Sequence, residues 1–462
     1  MESYTVVSPG DSTPYKTVPL SSPDEAINAL KHSSNAFQSW RKTALEERIA
    51  IMEKFLTSIL SKKDDIATEL ANLIGRPLKQ NYNELRGLEE RARYMMSVAP
   101  EALKDVECEP KEGFQRFMRK EPLGTVLVIA AWNYPYLIAV NGVVPALLAG
   151  NTVILKHAPQ TFPCAERFSA AFKEAGLPDG VFQHLHISHP TTELLIKHPL
   201  LSHILFTGSV RGGKEVSKAA SDRFIGVGLE LGGKDAAYVR QDADVLYAAE
   251  NIVDGAMYNS GQSCCGIERV YVRQEVWDQF LEKVVQVVKG YKLGDPFAPE
   301  TNLGPVIRTE SAHVIREHVA DAISKGAKPL IDESLFPSAK PGTPYVAPQV
   351  LINVDHSMRI MREETFGPVV GIMKVASDAE AVQLMNDSEF GLTASIWTKD
   401  VEKGLNIGED LQVGTVFMNR CDYLDPAMAW TGWKDSGRGV TLSKFGFDHL
   451  TRLKNFHLRV KI

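Results

Sequence analysis

The run Asn259-Ser-Gly-Gln-Ser-Cys264-Cys265-Gly266 places two thiols among small residues, between a helical pattern and the strand-like Arg269-Val-Tyr-Val-Arg273. A thiolate there is a strong nucleophile if its surroundings lower its pKa, and small neighbours let a ligand come close to the backbone. Taken alone, the local pattern fits a buried, inert cysteine slightly better. Adjacent cysteines close only a strained ring, so they do not read as a structural bridge. Leu229-Glu230-Leu231-Gly232-Gly233-Lys234 puts a carboxylate in an apolar strand that ends in two glycines. Burial there would raise its pKa toward that of a general base, whereas a sheet-edge glutamate facing water would do no chemistry. Phe206-Thr-Gly208-Ser209-Val-Arg-Gly212-Gly213-Lys214 runs from a strand into a glycine-rich helix start. Free N–H groups at such an end can hold a pyrophosphate. The spacing is not G-x-G-x-x-G, however, and a tight strand-to-helix turn explains it as well.

Other groups point less clearly to chemistry. His184, His186, His189, His198 and His203 crowd one region, but no cysteine or carboxylate joins them at metal-ligand spacing. No metal is expected. Trp132, Tyr134, Tyr136, Tyr423, Trp430 and Trp433 could line an apolar pocket or simply fill the core.

Periodicity predicts the helices and strands that carry these residues. The first hundred residues read as mostly helical: helical spacing predicts helices over Glu46–Ser61, Asp64–Ile74 and about Tyr82–Val98, with Gly75-Arg76-Pro77 as a stop. Between Glu121 and Lys156 there is no charged residue, and a membrane span could be read there. Asn133, Pro135, Asn141, Gly142 and Pro145 oppose it; strand Thr125–Ala131, turn, helix and strand Thr152–Leu155 is the better parse. Strands and helices alternate to about Gly232, with further strands at 181–187, 203–208 and 225–231, as in a doubly wound domain. A second alternating set follows: a strand at 236–240, a helix Val245–Tyr258, the strand at 269–273, a helix Gln274–Lys289, and strands Val350–Val354 and Val369–Lys374. Phe114–Lys120 reads as an exposed hairpin strand. The tail from Phe456 also alternates and needs a sheet edge to pair with, in this subunit or another.

Composition bounds the rest. A chain of 462 residues with 44% hydrophobic residues suits two or three globular domains. A formal charge of −6 argues against a polyanion-binding surface, so no nucleic acid is expected. Five cysteines, none in a C-x-x-C pair, fit a reducing compartment, and a cytoplasmic location is expected. The first residues, Met-Glu-Ser-Tyr-Thr-Val-Val, have no signal or transit pattern.

Taken together, seven segments resemble the aldehyde dehydrogenase superfamily, in its order and over essentially the whole chain. They are Ala131-Trp132-Asn133-Tyr134-Pro135, Lys156-His-Ala, Phe206-Thr-Gly-Ser209, Leu229-Glu230-Leu-Gly-Gly-Lys, Gly261-Gln-Ser-Cys264, Glu363-Glu364-Thr-Phe366-Gly-Pro368 and Lys434-Asp-Ser-Gly437. The separation of 34 positions from Glu230 to Cys264 also matches the family's spacing. The resemblance implies an α/β fold: a Rossmann-type cofactor domain, an α/β catalytic domain and a small β oligomerisation hairpin. It assigns residues 1–106 and 123–232, with 434–447 returning, to the first, 233–433 to the second, and 107–122 with 448–462 to the third. A homodimer or homotetramer is expected.

The resemblance also implies roles. Cys264 matches the nucleophile, Glu230 the general base and Asn133 the side-chain donor of the oxyanion hole. Lys156 and Glu364 match a ribose-binding pair, and Phe366 the residue beside the nicotinamide. Trp132, Gly208, Ser209 and Gly213 join the cofactor site. The implied reaction oxidises an aldehyde to a carboxylic acid with NAD or NADP, through a cysteine thiohemiacetal and a thioester. A CoA-acylating relative is a second reading, opposed by Glu230, which that branch usually lacks. A non-catalytic, cofactor-binding relative is a third, opposed by the intact catalytic set.

Two departures stand out. Pro159 occupies the position where NAD-preferring relatives often carry a glutamate that repels a 2′-phosphate, so cofactor preference stays open. Trp430-Thr-Gly-Trp433 is bulkier than usual and hints at a bulky or aromatic aldehyde. Cys265, beside a reactive thiolate, could trap an oxidised Cys264 as a strained disulfide, or could merely fill space.

Overall fold

Strands Thr125–Ala130 and Thr152–His157 are buried at every position. A run of this kind can be satisfied only inside a parallel sheet covered on both faces. The computed structural model, which describes residues 2–461, places them there. Val126, Val128, Val153 and Leu155 enter one core, and Leu127, Ile129 and Ile154 enter the core on the opposite face. The sheet has six strands in the order Gly437–Arg438, Gly226–Glu230, Leu201–Thr207, Thr125–Ala130, Thr152–His157, Phe182–His184. All pairings are parallel except that of Gly437–Arg438. The order reverses between Thr125–Ala130 and Leu201–Thr207. In open sheets of this type ligands bind at that reversal, outside the carboxyl ends of the strands. Asn133, Ser209 and Glu230 all lie just beyond or at such ends.

A second sheet has seven strands in the order Lys328–Pro329, Gln349–Ile352, Val369–Val375, Ile267–Arg273, Asp235–Val239, Thr393–Trp397, Thr415–Met418. It too is sandwiched: Ala237, Val239, Val270 and Val272 face one core, and Ala236, Tyr238 and Tyr271 face the other. Cys264 stands at the amino end of its strand Ile267–Arg273.

Phe114–Pro122 forms the centre of a small three-stranded sheet, between Val106–Glu107 and Thr451–Arg459. The terminal strand therefore finds its partner in its own chain. Phe117 stacks on Phe456 with ring centroids 4.6 Å apart.

Predicted helices are found at Leu45–Leu60, Lys63–Ile74, Leu78–Leu103, Val245–Met257 and Trp277–Lys289. Two expectations need correction. The chain opens on an antiparallel hairpin, Ser3–Val7 with Pro14–Pro19, in a region that reads as mostly helical; its short strands alternate too weakly to register. The strand expected over 181–187 is only Phe182–His184, because it lies at the sheet edge and has one partner. Among the described residues no helix is long and apolar enough to cross a membrane, and no cluster of His, Cys, Asp or Glu could hold a metal.

Candidate active site

Cys264 is delivered by an irregular turn. After the helix Val245–Met257, Asn259 and Ser260 take left-handed backbone angles (φ 52° and 56°), and Gly261 follows at 73°. Such angles are costly for residues with a Cβ and persist only where contacts enforce them. Here Asn259 Nδ2 donates to Asn133 O and to Gln262 O, both at 3.2 Å. Ser260 Oγ donates to Gly304 O at 2.8 Å, and Gln262 Oε1 accepts from Ile307 N at 2.7 Å. The strand end carrying Glu230 meets this turn closely. A Cβ on Gly233 would lie 2.2 Å from Cys264 O, so only glycine permits the approach.

Two cavities adjoin at this point, of about 440 Å³ and about 160 Å³. Asn133, Thr207, Glu230 and Cys264 line both. The smaller cavity is completed by Trp132, Gly208, Ser209, Glu364 and Phe366, among others. Eight of the ten residues singled out from sequence thus surround one space. Asn133 is buried and its amide Nδ2 donates to Gln262 O at 3.2 Å, beside the thiol-bearing loop. Glu230 does not face bulk water. Its carboxylate accepts from the Thr207 hydroxyl at 2.9 Å and from the Thr441 hydroxyl, and burial raises its pKa above the ordinary carboxylate value.

A nucleophile, a carboxylate and an amide donor at the junction of two pockets suit a reaction between two bound molecules. The aldehyde dehydrogenase family model matches residues 1–456. The chain belongs to the aldehyde dehydrogenase family. It is 33% identical over 451 residues to the succinate semialdehyde dehydrogenase [NAD(P)+] Sad of Escherichia coli, covering 97% of this chain and 96% of that one. An NAD-dependent aldehyde dehydrogenase structure from Sinorhizobium meliloti superposes with a TM-score of 0.95 at 31% identity, covering 99% and 92% of the two chains. A glyceraldehyde-3-phosphate dehydrogenase from Bacillus halodurans, solved with NADP, gives 0.93 at 31% identity, covering 100% and 96%. The chain is accordingly an NAD(P)-dependent aldehyde dehydrogenase, and the CoA-acylating reading is not favoured.

In this aldehyde dehydrogenase, two predicted residues do not line the smaller cavity. Gly213 lies against Leu231, whose Cδ2 would be 2.6 Å from an added Cβ; the glycine lets the helix Val210–Ala219 pack on the strand end and does not reach the cavity. Lys156 is buried near the end of its strand, with its ammonium on His157 O at 3.3 Å. Burial lowers its pKa to about 8. No hydrogen bond or ion pair joins Lys156 to Glu364. Glu364 Oε1 accepts from Gly233 N at 3.0 Å, and burial, then the nearby Glu268 charge, raises its pKa to about 8. Ser209 caps the helix Val210–Ala219 by accepting from Gly212 N at 3.2 Å. Trp132 meets Phe366 edge-on, with centroids 5.6 Å apart.

The aromatic pocket expected from Trp430 and Trp433 is only half present. Trp430 lines the larger cavity together with Tyr134 and Tyr423. Trp433 is 50% exposed in the short strand Trp433–Lys434, which pairs with Phe390–Gly391 away from the cavity. The strand turns the indole outward. Charged side chains, including Arg76, Arg91 and Asp422, make up much of the wall instead.

Sequence reasoning missed several supports. Glu268 sits in the buried strand Ile267–Arg273 and pairs with the Lys234 ammonium. It also accepts from Thr365 N and Phe366 N at 2.8–3.1 Å. It thereby fixes Phe366, whose φ is 54°. Adjacent charges, Glu268 and Arg269, at the start of an otherwise buried strand are the signal that could have found it. Asp422 accepts from Ser263 Oγ at 3.2 Å and Cys265 Sγ at 3.0 Å, the residues on either side of Cys264. Nothing local in the sequence marks Asp422. The adjacent Cys264 thiol and burial push the Cys265 pKa well up.

Proposed function

We propose that Cys264, Asn133 and Glu230 carry out aldehyde oxidation to a free acid, with the aldehyde in the larger cavity and the nicotinamide end of the cofactor in the smaller one. The single observation that supports this most is that these three residues line both spaces. The Cys264 sulfur adds to the carbonyl carbon, and the Asn133 amide donates to the oxygen as it gains negative charge. The cofactor, when bound, supplies the hydride acceptor. A thioester is then left on Cys264. Glu230 takes a proton from water, the hydroxide attacks the thioester carbonyl, and the sulfur leaves with the acid released. Product analysis with and without CoA tests this: a free acid in both cases supports it, and an acyl-CoA would overturn it. Removing the amide donor by Asn133→Ala is expected to slow acylation by about 10²–10³-fold. Single-turnover formation of reduced cofactor measures this.

The residues present fit a dinucleotide. Lys156 is a buried ammonium whose one hydrogen bond is long, and it suits ribose hydroxyls. The start of the helix Val210–Ala219, capped by Ser209, offers N–H groups to a pyrophosphate. Pro159, in the turn Pro159–Thr161, brings no negative charge to oppose a 2′-phosphate, so we expect both NAD and NADP to be accepted. The lowered Lys156 pKa predicts a pH effect. As pH rises through about 8 its charge is lost, and the extra negative charge of NADP loses more than NAD does. The KM for NADP should therefore rise more steeply than that for NAD between pH 7 and pH 9.5. Parallel KM profiles would remove Lys156 from 2′-phosphate recognition.

The proposed domain division follows the two sheets. Residues 1–106 and 123–232, with 434–447, form the cofactor domain around the six-stranded sheet. Residues 233–433 form the catalytic domain around the seven-stranded one. Strand Thr451–Arg459 has one free edge and exposes Leu453 and Leu458, which suits the proposed homodimer or homotetramer through 107–122 and 448–462. All five cysteines are unpaired, which supports a reducing, cytoplasmic setting.

A further inference from the structure

The helix Leu78–Leu103 turns Asn83, Glu84, Gly87, Glu90 and Arg91 toward the larger cavity. These positions share one face of the helix. Gly87 allows close packing, since a Cβ there would lie 2.7 Å from Leu137 Cδ2. One turn further on is Arg91, only 8% exposed and part of the cavity wall. Its Nη1 donates to Leu137 O and to Asn141 Oδ1, both at 3.2 Å. Among the described residues, its Nε and Nη2 have no acceptor and the guanidinium has no ion-pair partner.

A buried charge of this kind is unfavourable unless something compensates it. The carboxylates of the wall are held elsewhere. Glu84 is bonded to Arg76 and to Tyr136 N, and Glu90 accepts from the Tyr423 hydroxyl. Asp422 holds Ser263 and Cys265, and Glu230 holds two threonine hydroxyls. Asp254 is exposed at the cavity wall. The planar fork of Arg91 thus keeps donors for two anionic oxygens.

We propose that Arg91 makes this enzyme selective for aldehydes bearing a second, anionic group, a carboxylate or sulfonate, at the end remote from the carbonyl. The inference rests on the assignment of the larger cavity to the aldehyde. It makes Arg91 a specificity-determining residue that touches the substrate tail.

The test compares succinic semialdehyde with butanal, its four-carbon uncharged counterpart, in wild type, Arg91→Met and Arg91→Lys. Wild type is expected to prefer the anionic aldehyde in kcat/KM by at least about tenfold. In Arg91→Met the loss for succinic semialdehyde should exceed the loss for butanal by about 10²-fold, mostly in KM. Arg91→Lys should recover part of the preference, because it keeps the charge and loses the fork. Succinate, the product dianion, should bind wild type by calorimetry and bind Arg91→Met far more weakly. Equal losses for both aldehydes together with unchanged succinate affinity would overturn the proposal, as would a wild-type preference for butanal. Failure of wild type to oxidise either aldehyde, with NAD or with NADP, would instead overturn the catalytic reading on which it rests.

Discussion

Cys264→Ala is expected to lower aldehyde-dependent formation of NAD(P)H by at least about 10⁴-fold, because removal of a covalent nucleophile typically costs that much or more. No other thiol can take over. Cys265 is adjacent but buried, with its Sγ on Asp422 at 3.0 Å and its pKa pushed well up. Cys421 lines the same cavity, but burial raises its pKa out of the useful range. The substitution removes one sulfur from a partly exposed side chain in a turn held by Asn259, Ser260 and Gln262. The fold and cofactor binding should therefore persist. Cofactor affinity by fluorescence and thermal unfolding are the controls. Turnover close to wild type in a variant that folds and binds cofactor would refute the assignment of Cys264, whatever the family.

Glu230→Gln separates the two halves of the reaction. Acylation needs the thiol and the amide donor, whereas hydrolysis of the thioester needs the base. Steady-state turnover is expected to fall by about 10²–10⁴-fold, the usual worth of a positioned base. A first burst of about one equivalent of reduced cofactor per site should survive. The glutamine is isosteric and can still meet the Thr207 and Thr441 hydroxyls that hold Glu230 in the wild type. The loss is thus one of basicity and not of position. The pH profile gives a second reading. Burial raises the Glu230 pKa, and the base is active only when ionised. Wild-type deacylation should fall as pH drops, with an acid limb above the ordinary carboxylate range, and that limb should be absent from the variant. A variant without a burst, or one with unchanged turnover, would remove Glu230 from the hydrolytic step.

The pattern of residues along the chain carried the α/β character, most helices and the main parallel strands. It did so because buried parallel strands are apolar without interruption, as at Thr125–Ala130, and because amphipathic helices repeat every 3.6 residues. It also pointed to Cys264, Glu230 and Asn133, since seven segments in one order specify a family where each alone is ambiguous. Weak or edge elements escaped. The hairpin of Ser3–Val7 and Pro14–Pro19 and the short strand Phe182–His184 are set by their partners and carry little periodic signal of their own.

Long-range packing set what each side chain faces. It turned Glu230 inward between two hydroxyls, Trp433 outward to solvent, and Gly213 onto Leu231. It brought Asp422 to both neighbours of a cysteine more than 150 residues away, and Glu268 to the backbone of Phe366. It left Arg91 on the cavity wall without an ion-pair partner among the described residues. The reason is physical. Periodicity reports whether a residue is buried, but a charge, thiol or hydroxyl acts through the atoms within about 3 Å of it, and long-range packing chooses those atoms.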